Sequence, residues 1–264
     1  MEWIDSHCHL DSFYKKGELQ KVLKRAQDNS VTKMIVIGTD CEDWNLNYNL
    51  KKEHPKLLDY TIGLHPCRVD QNWERFLEEI SIYFKKDFYP VAIGEIGLDY
   101  YHLPKQQSEI EEFKNLQHRA FKSQLSIAKE FDCPIIIHSR DAFDDTISMI
   151  DNSGFDWNRV VMHCFSYSCE QIKVINKKGG RASFTGIVTY RNAPNIKKSL
   201  LEQDLELLMI ETDSPYLAPE PYRGKINEPA YVADIGKKCA EYFGMEVDAF
   251  SEKITKNTRD FFNL

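Results

Sequence analysis

The sequence predicts an α/β fold in which eight parallel strands and the helices between them close into a single (β/α)8 barrel. Three observations carry this prediction. Short apolar runs recur eight times, helix-length segments separate them, and the 264 residues match the usual size of one such barrel. Since no Pro/Gly/Ser-rich linker interrupts the series, we expect residues 1–264 to form a single domain.

The eight apolar runs are the predicted strands. Each run is too short for a helix and is separated from the next by a longer, more polar segment, which is typical of a parallel sheet. The runs span residues 3–6, 34–38, 60–64, 91–94, 134–137, 160–162, 182–185 and 207–210.

Helices are predicted between these runs. The strongest pattern spans 108–131, where one polar residue interrupts an apolar stripe at helical spacing: Phe113, Leu116, Ala120, Gln124 and Ala128. Shorter helices are predicted over 17–29, 71–86, 168–178 and 228–243, and a last helix over 247–264.

Composition excludes several classes of protein. Hydrophobic residues make up 42% and charged residues 28% of the chain, which argues against a disordered or low-complexity protein. No stretch approaches the ~20 apolar residues of a membrane span, and no signal-like segment opens the chain. Seven cysteines without a Cys-x-x-Cys pair argue against a disulfide framework or a thiolate zinc cluster. We therefore expect a soluble, cytoplasmic protein with no membrane partner and no obligate protein partner.

Charge limits how the chain could bind nucleic acid. The net charge of −7 argues against a broad polyanion-binding surface, because neutralising phosphates requires surplus Lys and Arg. Local features must therefore supply any such contact. Residues 171–201 contain seven basic residues and no acidic one. Most of these side chains are expected on solvated helix faces, but Tyr190, Arg191 and Asn192 could form a loop that stacks bases and contacts phosphate.

Potential metal ligands follow most of the apolar runs. In a barrel of parallel strands the residues at the carboxyl ends of the strands lie together. Two histidines follow the first run, single ligand residues follow the fourth, fifth and sixth, and an aspartate lies three residues past the eighth: His7, His9, Glu95, His138, His163 and Asp213. A lone histidine after a strand is more often structural, but the recurrence of ligand types at one end predicts a metal site.

Six ligands indicate two divalent ions, because one tetrahedral ion with an open position needs fewer. His7 and His9 alternate with Cys8, so both imidazoles face one side. In this interpretation they hold one ion, His138 and His163 hold the other, and a carboxylate bridges. Glu95 is the expected bridge because it has two oxygens. Asp213 either completes the shell of the first ion or holds the attacking water. Four imidazoles favour Zn, Mn, Co or Fe over Mg.

Seven sequence blocks in order carry a resemblance that covers nearly the whole chain. They are Asp5-Ser-His-Cys-His-Leu-Asp11, Gly63-Leu-His-Pro66, Gly94-Glu-Ile-Gly-Leu-Asp-Tyr-Tyr101, His138-Ser-Arg-Asp-Ala142, His163-Cys-Phe165, Thr185-Gly-Ile-Val188 and Glu211-Thr-Asp-Ser-Pro-Tyr-Leu217. In these blocks the chain resembles the TatD family of metal-dependent deoxyribonucleases, a branch of the amidohydrolase-like barrel hydrolases.

The resemblance implies a TIM-type barrel with metal-dependent hydrolase architecture and a two-metal site at the same six positions. It implies hydrolysis of phosphodiester bonds in DNA, typically at 3′ ends of single strands, with some members cutting internally. Family activity is usually associated with magnesium, so the metal is left open among Mg, Zn and Mn. One departure is Ile226, which stands where the family usually has a basic residue. This leaves Arg223 and Lys225 as the expected phosphate contacts.

Four further side chains have expected roles. Asp213 is expected to take the proton from the attacking water, with Glu95 as the second catalytic carboxylate. His65, after the third run, contacts substrate in one interpretation and caps a turn or supports a ligand in the other. Arg140 contacts substrate or instead pairs with Asp141 or Asp144.

Two other functions remain open at this point. One is an amidohydrolase-like or phosphotriesterase-like enzyme that hydrolyses a small ester, amide or phosphoester. Many such relatives carry a carboxylated lysine where this chain has Glu95, which favours the nuclease branch. The other is a catalytically silent metal-binding scaffold. The sequence does not decide whether DNA or RNA is the preferred substrate, or whether cutting starts at an end or internally. It also leaves the oligomeric state open.

Overall fold

The computed structural model describes residues 1–264 and contains one sheet of eight strands in the order β1 to β8. The strands are β1 (Trp3–Cys8), β2 (Val31–Val36), β3 (Leu58–Ile62), β4 (Ala92–Asp99), β5 (Ile135–Arg140), β6 (Val160–Met162), β7 (Arg181–Phe184) and β8 (Leu208–Ile210). Sequential parallel strands joined by helices define a (β/α)8 barrel. The predicted fold class is therefore confirmed.

Three strands extend past the carboxyl ends of their apolar runs. β1, β4 and β5 continue through His7, Glu95 and His138, so these side chains lie within strands instead of beyond them. The reason is the backbone ladder, since β4 and β5 still pair in parallel where Asp99 lies opposite Arg140. Hydrogen bonding between the strands continues after the apolar pattern has stopped, and the apolar runs therefore place the ends of these three strands too early.

Ten helices lie between and after the strands. They are α1 (Asp11–Lys15), α2 (Leu19–Asp28), α3 (Cys41–Glu53), α4 (Glu74–Tyr83), α5 (Gln107–Glu130), α6 (Phe143–Ser153), α7 (Cys169–Lys178), α8 (Pro194–Glu202), α9 (Val232–Phe243) and α10 (Val247–Phe262). All six predicted helices are present, whereas α1, α3, α6 and α8 are not among the predicted ones. In α3 the buried stripe is only Trp44, Asn47 and Leu50, and its central residue is polar.

The stripe on α5 differs from the predicted one. Ala120, Gln124 and Ala128 are buried as expected, but Phe113 and Leu116 are partly exposed and Gln117 occupies the buried position instead. Gln117 and Gln124 are buried because their side-chain amides form hydrogen bonds with the backbone groups of Asp99 and Leu64. Gln124 accepts from the backbone N–H of Leu64 at 2.7 Å and donates to its carbonyl at 3.1 Å. A polar residue in this stripe thus supports the end of β3.

Two compact units make up the chain. The first comprises Met1–Val36, His54–Asp59 and His163–Leu264, and the second comprises Ile37–Glu53 and Tyr60–Met162. In the first unit Trp3 packs on α9, where a Cβ on Gly236 would overlap its ring. In the second, isoleucines of β4 and β5 form the interior. A single domain over residues 1–264 stays a prediction. No helix combines the length and the apolar character that a membrane span requires.

Candidate metal centre

In the first unit the two histidines of the His-x-His pair lie beside one carboxylate. His9 Nε2 is 3.4 Å and His7 Nε2 is 3.7 Å from Asp213 Oδ1. Cys8 points elsewhere, and its Sγ lies 3.5 Å from the carbonyl oxygen of Ile35 on β2. The alternation of a strand therefore brings the two imidazoles to the same carboxylate, as the sequence pattern predicts.

The backbone fixes Asp213 at this position. Its N–H donates to the carbonyl of His7 at 2.9 Å, and its φ of 53° lies in the left-handed region that non-glycine residues rarely adopt. Burial raises the pKa of Asp213, but the hydrogen bond to His9 and the charges of His7 and His163 lower it more. The net effect is a lowered pKa, so Asp213 is a carboxylate at neutral pH.

His163 completes this group from the end of β6. Its ring stacks on the ring of His7, with centroids 4.0 Å apart and planes 9° from parallel. On its other side, His163 Nδ1 lies 3.2 Å from Glu211 Oε1. A carboxylate at Nδ1 fixes the ring and leaves Nε2 for a metal.

Glu211 is a functional residue that is not among the predicted ones. It is buried and also accepts from the Cys164 N–H at 2.8 Å and the Ser183 hydroxyl at 2.5 Å. A signal for it exists, because Glu211 directly follows the eighth apolar run, two residues before Asp213. The end of β8 therefore supplies two acidic residues, Asp213 beside the His-x-His pair and Glu211 against the ring of His163.

Asp5 is a second supporting residue outside the predicted set. Its carboxyl is fully buried and accepts from the Thr212 N–H at 2.8 Å, the Thr212 hydroxyl at 2.5 Å and the His7 N–H at 3.3 Å. Burial raises the pKa of Asp5 to about 8, although these hydrogen bonds oppose the rise. Asp5 thus ties β1 to the segment that carries Asp213.

In the second unit Glu95, His138 and His65 form another group. Glu95 Oε1 is 2.7 Å from His138 Nδ1 and 3.4 Å from His65 Nε2. The two imidazoles are themselves 3.2 Å apart between His65 Nε2 and His138 Nδ1. β4 and β5 are neighbours in the sheet, so their ends bring Glu95 and His138 together directly.

Asp99, at the end of β4, supports His138 from its other side. Asp99 Oδ2 is 3.0 Å from His138 Nε2 and 2.9 Å from His102 Nδ1. Burial raises the pKa of Asp99, but the hydrogen bonds to His138 and His102 outweigh it and hold the pKa well below its usual range. The apolar pattern does not point to Asp99, because the apolar run of β4 ends five residues earlier.

His65 is a cap, and it also faces Glu95. Its Nδ1 accepts from the Cys67 N–H at 3.0 Å, at the start of the 3-10 turn Pro66–Arg68. A neutral ring that accepts at Nδ1 carries its proton at Nε2, the atom that faces Glu95 and His138. The structure thus shows His65 as a cap that also faces two proposed ligands, and its contact with substrate stays a prediction.

The other predicted substrate contacts lie on the surface, and two of them lie over aromatic rings. The Arg223 guanidinium is 4.2 Å from the centroid of Tyr190 and donates to Asn192 Oδ1 at 3.0 Å. The Arg140 guanidinium is 3.8 Å from the centroid of Tyr101. Lys225 is exposed, as is Ile226 with 56% of its surface accessible. Arg223 therefore joins the Tyr190 loop of the acid-free segment.

The donor sets fit divalent metal ions. Donor atoms of His7, His163 and Glu211 all lie within 4.8 Å of one another, and so do those of His65, Glu95 and His138. Imidazole nitrogen and carboxylate oxygen are ligands that Zn, Mn and Fe accept, whereas Mg prefers oxygen alone. Each unit thus offers a chemically suitable group of ligands.

Comparison with known proteins decides the family. The family model described as TatD related DNase matches residues 4–263. The chain belongs to the TatD family. It is 34% identical to the uncharacterized metal-dependent hydrolase YabD of Bacillus subtilis over 99% of both chains. It is 33% identical to the uncharacterized metal-dependent hydrolase YcfH of Escherichia coli strain K12, over 99% of this chain and 96% of YcfH.

A solved TatD structure has the same fold. The TatD homolog YjjV of Escherichia coli K12 superposes with a TM-score of 0.88 and 28% identity, covering 99% of this chain and 98% of YjjV. The resemblance found in the sequence blocks is thereby confirmed. The chain is a metal-dependent hydrolase of the TatD family, and the clusters around His7 and Glu95 supply suitable ligands for its metal.

Proposed function

We propose that this TatD-family chain is a divalent-metal-dependent deoxyribonuclease that hydrolyses phosphodiester bonds, acting as a 3′–5′ exonuclease on single-stranded DNA. The observation that supports this most is the group in which His7, His9 and His163 surround the Asp213 carboxylate. Such a group can hold a cation and also accept a proton, and both are needed for hydrolysis of an anionic ester.

Two divalent ions, Mg, Zn or Mn, are the proposed cofactors. The proposed ligands are His7, His9, Glu95, His138, His163 and Asp213. When bound, the ions supply positive charge that stabilises the phosphoryl oxygens and makes water a stronger nucleophile. The chain supplies the orientation of its rings, since Glu211 holds His163 and Asp99 holds His138.

Asp213 and Glu95 are the proposed catalytic carboxylates. The lowered pKa of Asp213 keeps it ionised at neutral pH, which is the form that accepts a proton. The hydrogen bond from its backbone to His7 fixes where that proton acceptor lies. Glu95 is buried within β4, and the surrounding side chains therefore restrict the orientation of its carboxylate.

Substrate binding is assigned to Arg223, Lys225, Arg140 and His65. Arg223 lies over the half-buried ring of Tyr190 beside Asn192, and a ring with a cation can stack a base and contact its phosphate. The charge of −7 leaves little attraction for DNA elsewhere on the chain, which favours binding of a few terminal nucleotides over a long duplex. Ile226 contributes no charge to this contact.

The decisive experiment treats metal-free protein with single-stranded DNA labelled at the 3′ or the 5′ end, and adds Mg, Mn or Zn separately. Early release of the 3′ label as mononucleotides, only after metal addition, is the expected result. Early release of the 5′ label would reverse the polarity. Hydrolysis of a panel of small esters, amides or phosphoesters without nucleotide release would support the amidohydrolase-like alternative. Failure on every substrate with metal bound would support a silent scaffold.

A further inference from the structure

A third group of ligand atoms lies beside the Glu95 group, and of its three residues only Asp99 has a part in the proposed hydrolysis, because it orients His138. It consists of Cys67 in the 3-10 turn after β3, Asp99 at the end of β4, and His102 three residues later. We refer to these three residues as the Cys67 cluster. It brings together a thiol, a carboxylate and an imidazole, which are three of the side chains that bind transition metals in proteins.

The spacing of the three donor atoms resembles one face of a metal tetrahedron. Cys67 Sγ is 3.5 Å from Asp99 Oδ2 and 3.7 Å from His102 Nδ1, and the last two atoms are 2.9 Å apart. Around a tetrahedral zinc with bonds of about 2.3 Å to sulfur and about 2.0–2.1 Å to nitrogen and oxygen, these edges would be about 3.6, 3.6 and 3.3 Å. Movements of a few tenths of an ångström would complete the geometry.

The cluster is anchored and open at the same time. His65 caps the turn that carries Cys67, and Gln117 holds the backbone of Asp99 through two hydrogen bonds. Asp99 is buried, whereas Cys67 and His102 are exposed to solvent. An ion can therefore reach the three donors without unfolding a strand, and the solvent side leaves room for a fourth ligand.

We propose that Cys67, Asp99 and His102 form an additional site for a thiophilic divalent transition ion such as Zn²⁺, adjoining the Glu95 group through Asp99, whose Oδ2 also bonds His138. On binding, the thiol loses one proton to solvent and its sulfur coordinates as a thiolate, with no change in oxidation state. A thiolate selects Zn or Co over Mg, which distinguishes this site from the nitrogen and oxygen donors of the proposed catalytic ligands. The proposal does not depend on which bond the enzyme hydrolyses.

Cobalt(II) provides the test because only a thiolate ligand gives it an intense near-ultraviolet charge-transfer band. Metal-free, reduced protein is titrated anaerobically with Co²⁺ and compared with Cys67→Ser, His102→Asn and Cys164→Ser. Cys164 is the matched control, since it is the thiol next to His163. We expect the band in wild type and Cys164→Ser, its loss in Cys67→Ser, and at least about tenfold weaker binding in His102→Asn.

Zinc stoichiometry gives an independent readout. After equilibration with Zn²⁺ and removal of free metal, Cys67→Ser is expected to retain one ion fewer per chain than wild type. Cys67 is exposed, so circular dichroism of the serine variant should match wild type and confirm that it folds. Absence of the band from folded wild type, its persistence in Cys67→Ser, or its loss in Cys164→Ser would overturn the proposal. The three residues would then form only a hydrogen-bond network.

Discussion

The side-chain amide of Gln117 bonds both backbone groups of Asp99. It accepts from the Asp99 N–H at 2.9 Å and donates to the Asp99 carbonyl at 3.1 Å, and both residues are buried. One residue of α5 thus fixes the end of β4, where the carboxylate that supports His138 is located. Gln117 interrupts the apolar stripe of α5, and its polar side chain serves to position Asp99.

Gln117→Met should destabilise the protein by about 2–4 kcal/mol, because a buried N–H and a buried carbonyl would each lose a partner. Met keeps the length and helix propensity of Gln, so lost packing should contribute little. The measurement is urea unfolding monitored by circular dichroism. Gln27→Met on the exposed face of α2 is the control and should change stability by less than about 0.5 kcal/mol. Equal effects of the two changes would contradict the role of Gln117.

Asp213→Asn should lower the rate of DNA hydrolysis by at least about a hundredfold, because the amide cannot accept the proton from water. Single-turnover rates at saturating metal separate this effect from weaker substrate binding. Glu220→Gln, at an exposed site seven residues further along the chain, is the matched control and should leave the rate unchanged. A decrease within about threefold for Asp213→Asn, under ~1 kcal/mol of barrier, would remove it from the role of base.

Divalent metal should raise the melting temperature of chelator-treated protein. An ion at one hundred times its dissociation constant stabilises the folded state by about 2.7 kcal/mol, which corresponds to about 5 °C or more for a chain of this size. His9→Ala should reduce that increase, and His54→Ala, which removes a histidine bonded to Gln20, should not. Thermal unfolding with and without Mn²⁺ gives the comparison. An equal increase in both variants would exclude His9 as a ligand.

Arg25→Met should cost about 1–2 kcal/mol of stability. Arg25 Nε bonds both Glu228 oxygens, at 3.0 and 2.7 Å, and Glu228 is only 10% exposed, so the change leaves a nearly buried carboxylate without its partner. Arg25 itself is 49% exposed, and solvent screening keeps the cost below that of a fully buried pair. Arg119→Met breaks a pair with Glu74 in which both side chains are 63% exposed. Chemical unfolding should show that this control, Arg119→Met, lowers the free energy of unfolding by less than about 0.5 kcal/mol.

The sequence predicts the strands and all six proposed ligands because both predictions depend on short-range rules. Apolar runs mark buried strands, and alternation along β1 places His7 and His9 on one side. Features that depend on pairing between strands leave no such local pattern. Asp99 lies beyond its apolar run, and only the ladder from β4 to β5 extends the strand to it.

Supporting residues are harder to predict than ligands. Glu211, Asp5 and Gln117 each act by hydrogen bonding to a group far away in the sequence, namely His163, Thr212 and Asp99. Glu211 is marked only by its position after the eighth apolar run, and nothing in the local pattern distinguishes Asp5 or Gln117 from a buried polar side chain that serves only packing. Its role depends on which backbone or ring atom the fold places opposite it.

Gln117 and Gln124 stand seven residues apart on α5, which is close to two helical turns. The helix therefore sets the spacing between two contacts, that of Gln117 with the backbone of Asp99 and that of Gln124 with the backbone of Leu64. Inserting or deleting a single residue between the two glutamines would rotate one amide by about 100° relative to the other. A change in the length of a loop does not rotate these two amides relative to each other. Between the two glutamines, the helix can therefore change in sequence but not in length.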